Sequence, residues 1–244
     1  MRDPMNLTQL RSFVRHPVPT NSGEFPKELR LYADRTLEVF YVPVEHLNRK
    51  ARLILLGLTP GFNQAQLAFE AFAAATSSGA SVPKALASAK HSAAFAGSMR
   101  TNLCAMLDAI GLPLHLGIAD ASALFAPPQP LVHLTSALRY PVFKLGRNYS
   151  GSPAPTRHPE LRRMIESILA SELEAVAGAL VVPLGKAAQP ATDHLISRDQ
   201  LDPLRVLRGF PHPSGANGHR KRDFALNLSL LRSQVARWFE RDAV

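Results

Sequence analysis

The feature that most restricts the fold is a short apolar run that stops at a turn. Residues Arg52-Leu53-Ile54-Leu55-Leu56-Gly57 offer no alternating polar position, and Leu58-Thr59-Pro60-Gly61 follows at once. A strand with one wet face alternates apolar and polar residues, whereas a strand without alternation is covered on both faces. The run is also too short to span a bilayer. It therefore reads as an inner strand of a parallel sheet, with helices above and below.

Other segments repeat the pattern. Leu131-Val132-His133-Leu134-Thr135, Ala179-Leu180-Val181-Val182-Pro183-Leu184 and Leu204–Leu207 read as further strands. Between them lie stretches with helical spacing or helix boundaries: Asn63–Ala75, a helix opened by Pro83, Ser98–Ile110 with Gly111 as its cap, Pro159–Ala177 and Asp223–Phe239. Strands separated by helices give βαβ units. The expected fold is α/β, a three-layer α/β/α arrangement around a central, mostly parallel four-stranded sheet. The β-prone Val39-Phe40-Tyr41-Val42 is a candidate extension of that sheet. Residues 1–36, with prolines at 4, 17, 19 and 26, read as an irregular arm holding one short helix near Leu7–Val14, and residues 37–244 as the domain. Pro127-Pro128-Gln129-Pro130 and the stretch from Lys144 to Gly151 have loop chemistry.

At 244 residues the chain can bury a full core. Its formal net charge of +9 favours polyanions, nucleic acid first and anionic membrane second. Cys104, the only cysteine, excludes an internal disulfide and a four-cysteine zinc or iron–sulfur site. No signal-length or membrane-spanning apolar stretch is present, so a cytoplasmic protein without a membrane partner is expected. The carboxylates Glu70, Asp108, Asp120, Asp193 and Asp223 show no paired glycosidase spacing. His91, His115, His133, His158 and His194 are scattered, and neither metal nor cofactor is implied.

Two phrases remain, both at apolar run ends, where open α/β sheets build their sites. Gly57-Leu58-Thr59-Pro60-Gly61 is the first, and His212-Pro213-Ser214-Gly215-Ala216-Asn217 the second. Together with Leu184-Gly185-Lys186-Ala187, in this order, they resemble the two active-site motifs of the uracil-DNA glycosylase superfamily and the strand end that precedes the second. The likeness extends over roughly Val39 to Phe239 by order of elements.

That resemblance implies removal of a base from DNA, as a monomer without cofactor. The base is flipped into a pocket, and its glycosidic bond is hydrolysed through an oxocarbenium-like transition state, leaving an abasic site. His212 would aim its imidazole at the departing base; the competing reading is a histidine bonded to backbone in a proline-bounded turn. Thr59 would orient the water with help from Asn63 or Gln64, or would serve as a helix N-cap. Gly57, Leu58, Pro60, Gly61, Phe62 and Ser136 would shape the base pocket, Phe62 by stacking unless it is core, and Ser136 by reading the base edge. Ser214, Gly215 and Asn217, with their small side chains, would let backbone N–H groups approach phosphate. His219, Arg220, Lys221 and Arg222 read as a phosphate patch or a solvated basic turn, and Lys186 as a further phosphate contact. Family members often wedge a bulky residue into the stack from the second-motif loop. Gly215 and Ala216 are too small for that, which makes Arg147 and Tyr149 the candidates.

Thr59 stands where other branches place Asp or Asn, and Ser136 where several place Asn. Both departures shift the expected target from uracil or another deaminated base toward a modified base, such as a phage-type substituted cytosine, and the expected role from repair toward anti-phage defence. The rival expectations are a catalytically silent nucleic-acid-binding module on the same fold and a nucleoside or nucleotide hydrolase on a related scaffold.

Overall fold

The computed structural model describes residues 21–95, 97–126 and 131–241. The helix expected at Leu7–Val14 and the Pro127–Pro130 loop lie outside the described residues. The chain is mixed α/β and clusters into two compact units, Met1–Leu47 with Thr59–Ala94 and Leu138–Ser152, and Asn48–Leu58 with Phe95–Ala137 and Pro153–Val244.

The second unit carries the parallel sheet. Strands β3 (Leu53–Gly57), β4 (Val132–Ser136) and β7 (Leu180–Pro183) pair in the order β4-β3-β7, with Leu53 opposite both Val132 and Leu180. Nearly every residue of the three strands is buried, which is why their sequences lack alternation. The fourth strand expected at Leu204–Leu207 is replaced by a 3-10 turn, Pro203–Arg205, and a single parallel bridge from Val181 to Val206. Pro203 has no N–H for a ladder, and the Asp202 carboxylate accepts from Leu204 N–H and caps the turn (2.8 Å). The helices of this unit are α3 (Ser98–Ala109), α4 (Leu112–Leu116), α5 (Pro159–Met164), α6 (Ala170–Glu174), α7 (Gln189–Ile196) and α8 (Arg220–Arg241); a π-helical turn, Ile165–Leu169, joins α5 to α6.

The first unit is built on antiparallel pairing. Strands β1 (Arg30–Ala33), β2 (Leu37–Phe40), β5 (Val142–Lys144) and β6 (Arg147–Asn148) lie side by side in that order. The Val39 segment is thus a strand of this sheet and not an extension of the parallel one. Two expected irregular stretches also prove ordered: β1 falls within the arm, and β5 with β6 makes a hairpin of the 144–151 loop. Helices α1 (Phe62–Ser77) and α2 (Val82–Ala93) pack through small residues, Ala65 and Ala68 against Ala85, Ala89 and Ala93, beside a cluster of Phe25, Phe40, Phe62, Phe69, Phe72 and Phe143.

Candidate functional site

The first motif begins at the C-terminal end of β3. Gly57 pairs with Ser136 across the parallel ladder, and Ala137 N–H donates to Gly57 C=O (2.8 Å). A Cβ built on Gly57 would lie 3.4 Å from both the Phe95 ring and the Ser136 hydroxyl. Gly57 is thus closely packed between the Phe95 ring and the Ser136 hydroxyl. Phe95 is buried and holds a positive φ of 51°, a conformation bulky residues rarely adopt. Nothing in the sequence singled it out. Leu58 and Pro60 are half-buried.

Thr59 has a different task from the one expected. Its hydroxyl donates to Tyr140 C=O (2.9 Å) and accepts from Val142 N–H (3.1 Å), so both its proton and one lone pair are spent on backbone. It clamps the turn to residues 140–142. Nor is Thr59 the helix cap: α1 is capped at Gly61, whose N–H donates to Gln64 Oε1 (2.8 Å). The next orphan donor, Phe62 N–H, reaches Asn148 Oδ1 (3.1 Å), a cap borrowed from β6 that the sequence did not disclose. Gln64 is thereby bound to the turn, while Asn63 is exposed beside it. Below the clamp, the phenols of Tyr140 and Tyr41 donate to Glu45 (3.0 and 3.3 Å), and burial pushes the Glu45 carboxyl up.

Phe62 belongs to the core. Its ring stacks on Phe143 at 4.3 Å and 7°, Phe25 lies 6.0 Å away, and the side chain is buried in this aromatic cluster. Tyr149, expected at the DNA, is buried in the core: it is 4% exposed, and burial pushes its phenol up to about 12. Arg147 is exposed.

The second motif is assembled within the unit that carries the parallel sheet. Gly185, just after β7, has φ +81° and donates its N–H to Phe210 C=O (3.0 Å). His212 follows and is half-buried; burial holds its imidazole below the usual 6.5. Ser214 N–H donates to His212 Nδ1 (3.3 Å). A ring nitrogen that accepts carries no proton, so the neutral imidazole keeps its proton on Nε2 as a donor. The loop beyond is tied at several points: Asn217 Nδ2 donates to His212 C=O (3.2 Å), Asn102 Nδ2 to Pro213 C=O (3.0 Å), and Ala216 N–H to Ser214 Oγ (3.2 Å). Arg220 NH1 donates to Pro213 C=O (3.1 Å) and Ser214 C=O (2.7 Å), so this guanidinium braces the loop instead of standing free for phosphate. Gly215, His219, Lys221, Arg222 and Lys186 are exposed, and Arg222 pairs with Asp223 (3.2 Å).

Among the described residues no group of three or more His, Cys, Asp or Glu side chains could hold a metal, and no helix is long and apolar enough to cross a membrane.

The family model described as "Uracil DNA glycosylase superfamily" matches residues 44–233. YoxB of Bacillus subtilis (strain 168), an uncharacterized protein, is 41% identical over 239 residues, covering 95% of this chain and 93% of YoxB.

Proposed function

The chain belongs to the uracil-DNA glycosylase superfamily, and from that premise we propose that it hydrolyses the bond between a flipped base and its sugar in DNA, with His212 as donor to the departing base. One observation carries this reading: Ser214 N–H occupies His212 Nδ1 and leaves a neutral Nε2–H to donate. As the glycosidic bond breaks, positive charge builds on the sugar and negative charge on the base. A fixed, neutral donor in a partly desolvated place strengthens its bond to the base oxygen as that charge grows. No proton needs to be transferred outright.

The nucleophile is a water, and this chain has no carboxylate in the first motif to act as its base. With the Thr59 hydroxyl committed to backbone, water positioning falls to main-chain carbonyls of the turn and to Asn63. Such chemistry depends on leaving-group stabilisation more than on base catalysis. The small Ser136 at the end of β4, paired with Gly57, supports a pocket with room for a substituent on the base. That favours a modified base, such as a substituted cytosine, over plain uracil, and a defence role over repair.

The commitment of Thr59 to Tyr140 and Val142 also supports a second reading, a DNA-binding module that no longer cleaves. Incubating the protein and its His212→Ala variant with uracil-containing, hypoxanthine-containing and phage-modified DNA, and identifying released bases by mass spectrometry, separates the two. Release by the unaltered protein alone establishes the glycosylase and names its base. Salt-sensitive binding without release from any DNA establishes the silent module.

A further inference from the structure

Strand β4 is held at both ends by bonds that involve side chains. At its start, Asn48 Nδ2 donates to Val132 C=O (2.9 Å), and Asn48 N–H donates to His133 Nδ1 (3.4 Å). Because Nδ1 accepts, the neutral ring keeps its proton on Nε2. At the other end, Thr135 Oγ1 donates to Glu172 Oε2 (2.5 Å), and His133 Nε2 lies 3.7 Å from the same oxygen. His133, Thr135 and Glu172 are all buried, Glu172 to 3% exposure. The whole cluster lies within the unit that carries the parallel sheet.

A carboxyl sealed from water costs free energy unless its hydrogen bonds are kept, and an apolar side chain of similar size often serves stability as well. What a satisfied polar cluster adds is a fixed geometry. The place of this one says what is fixed. β4 ends the order β4-β3-β7, so among the described strands only β3 pairs with it. Ser136, opposite Gly57, is the last rung of that ladder and follows Thr135 directly. Successive strand residues face opposite sides of a sheet, so Thr135 reaches α6 on one side while Ser136 stands on the other. The π-helical turn Ile165–Leu169 comes just before α6. A π turn holds more residues than an α turn and rotates the helix that follows, here the one that brings Glu172 to β4.

We propose that Glu172 is a positioning residue for base recognition: through the Thr135 hydroxyl it fixes the end of β4 that presents Ser136 to the base, an assignment that rests on the glycosylase reading above. Glu172→Met removes the acceptor at similar length, and Glu172→Gln keeps one. Thr135→Val breaks the same bond from the strand side and replaces Glu172→Met should that variant fail to fold.

The test is a double-mutant cycle on single-turnover base release, using whichever DNA of the panel is cleaved. Glu172→Met is expected to slow release about tenfold in the parent and to have little further effect in Ser136→Ala, with Glu172→Gln close to the parent. Equal slowing in both backgrounds, or slowing in neither, overturns the assignment. A second arm reads amide hydrogen exchange and needs no base release. Ala137 N–H donates to Gly57 C=O at the end of β4, and Leu184 N–H donates to Leu56 C=O just after β7. Glu172→Met should speed exchange at Ala137 and leave Leu184 unchanged. If the unaltered protein releases no base from any DNA, the glycosylase reading falls by itself and this arm decides whether Glu172 fixes the strand end. Faster exchange at Ala137 alone supports it; unchanged or uniformly faster exchange overturns it.

Discussion

Gly185 and His212 approach so closely that a Cβ on residue 185 would lie 2.6 Å from the His212 Cβ and 3.0 Å from its backbone nitrogen. The end of β7 is thus the surface against which the second motif is moulded. Gly185→Ala meets two penalties, the left-handed φ of +81° and the collision with His212. The first alone costs about 1–2 kcal/mol. The variant should show a lower denaturation midpoint than His212→Ala and equally little base release. A Gly185→Ala protein as stable and active as the parent would mean that the motif does not depend on this contact.

The protonation state of His212 gives a pH prediction. Burial lowers its affinity for a proton below the ordinary 6.5, and a proton on Nδ1 would face the Ser214 N–H that now donates there. With the folded value depressed, the group's contribution to stability is complete above pH 6.5 and is lost as pH falls through the folded value. Base release should be flat above 6.5 and decline on acidification, with an apparent pKa below 6.5. The difference in stability between the parent and His212→Ala should shift over the same window. A rate that climbs as the pH drops would assign the work to an imidazolium acid instead.

Thr59 is expected to matter to stability more than to the chemical step. Thr59→Val keeps the shape and removes both hydroxyl bonds, leaving Tyr140 C=O and Val142 N–H without this partner. Leaving such groups unsatisfied costs about 1–3 kcal/mol. Thr59→Ser retains the hydroxyl and should recover most of it. Chemical denaturation measures the loss, and single-turnover release should change by less than about a hundredfold, the lower end of what a group acting in proton transfer contributes. A far larger rate loss at unchanged stability would return the water to this hydroxyl.

The parts of the fold legible in the sequence are those whose burial leaves a pattern. β3, β4 and β7 are buried along nearly their whole lengths and read as apolar runs. β1 exposes three of its four residues, so it carries no burial pattern and its sequence reads as irregular chain. Leu204–Leu207 is apolar enough to read as a fourth strand, but Pro203 and Asp202 impose a turn at its start. His212 was visible through its motif. The partners of Thr59 were not, since Tyr140 lies 81 residues away and offers a backbone carbonyl that any residue could supply. Phe62 shows the converse: its position beside the motif suggests a base contact, whereas its side chain is buried and its ring stacks on Phe143.

The basic residues after the second motif divide by what already holds them. Arg220 is engaged with the Pro213 and Ser214 carbonyls, and Arg222 with Asp223, whereas Lys221 and Lys186 are exposed cations with no such role. If the patch meets DNA phosphates, each free lysine releases about one counterion on binding. Lys221→Ala and Lys186→Ala should each reduce the slope of log affinity against log salt by about 1, whatever the DNA sequence. Arg222→Ala should reduce it less, because its charge is partly neutralised by Asp223. Arg220→Ala should behave differently again: it loosens the loop that holds His212, costs about 1 kcal/mol of stability, and slows base release even where salt is low enough for binding to saturate. Fluorescence anisotropy across a salt series measures the slopes, and single-turnover release at saturation isolates the Arg220 effect. Equal slopes for all four variants would place the phosphate contacts elsewhere on the chain.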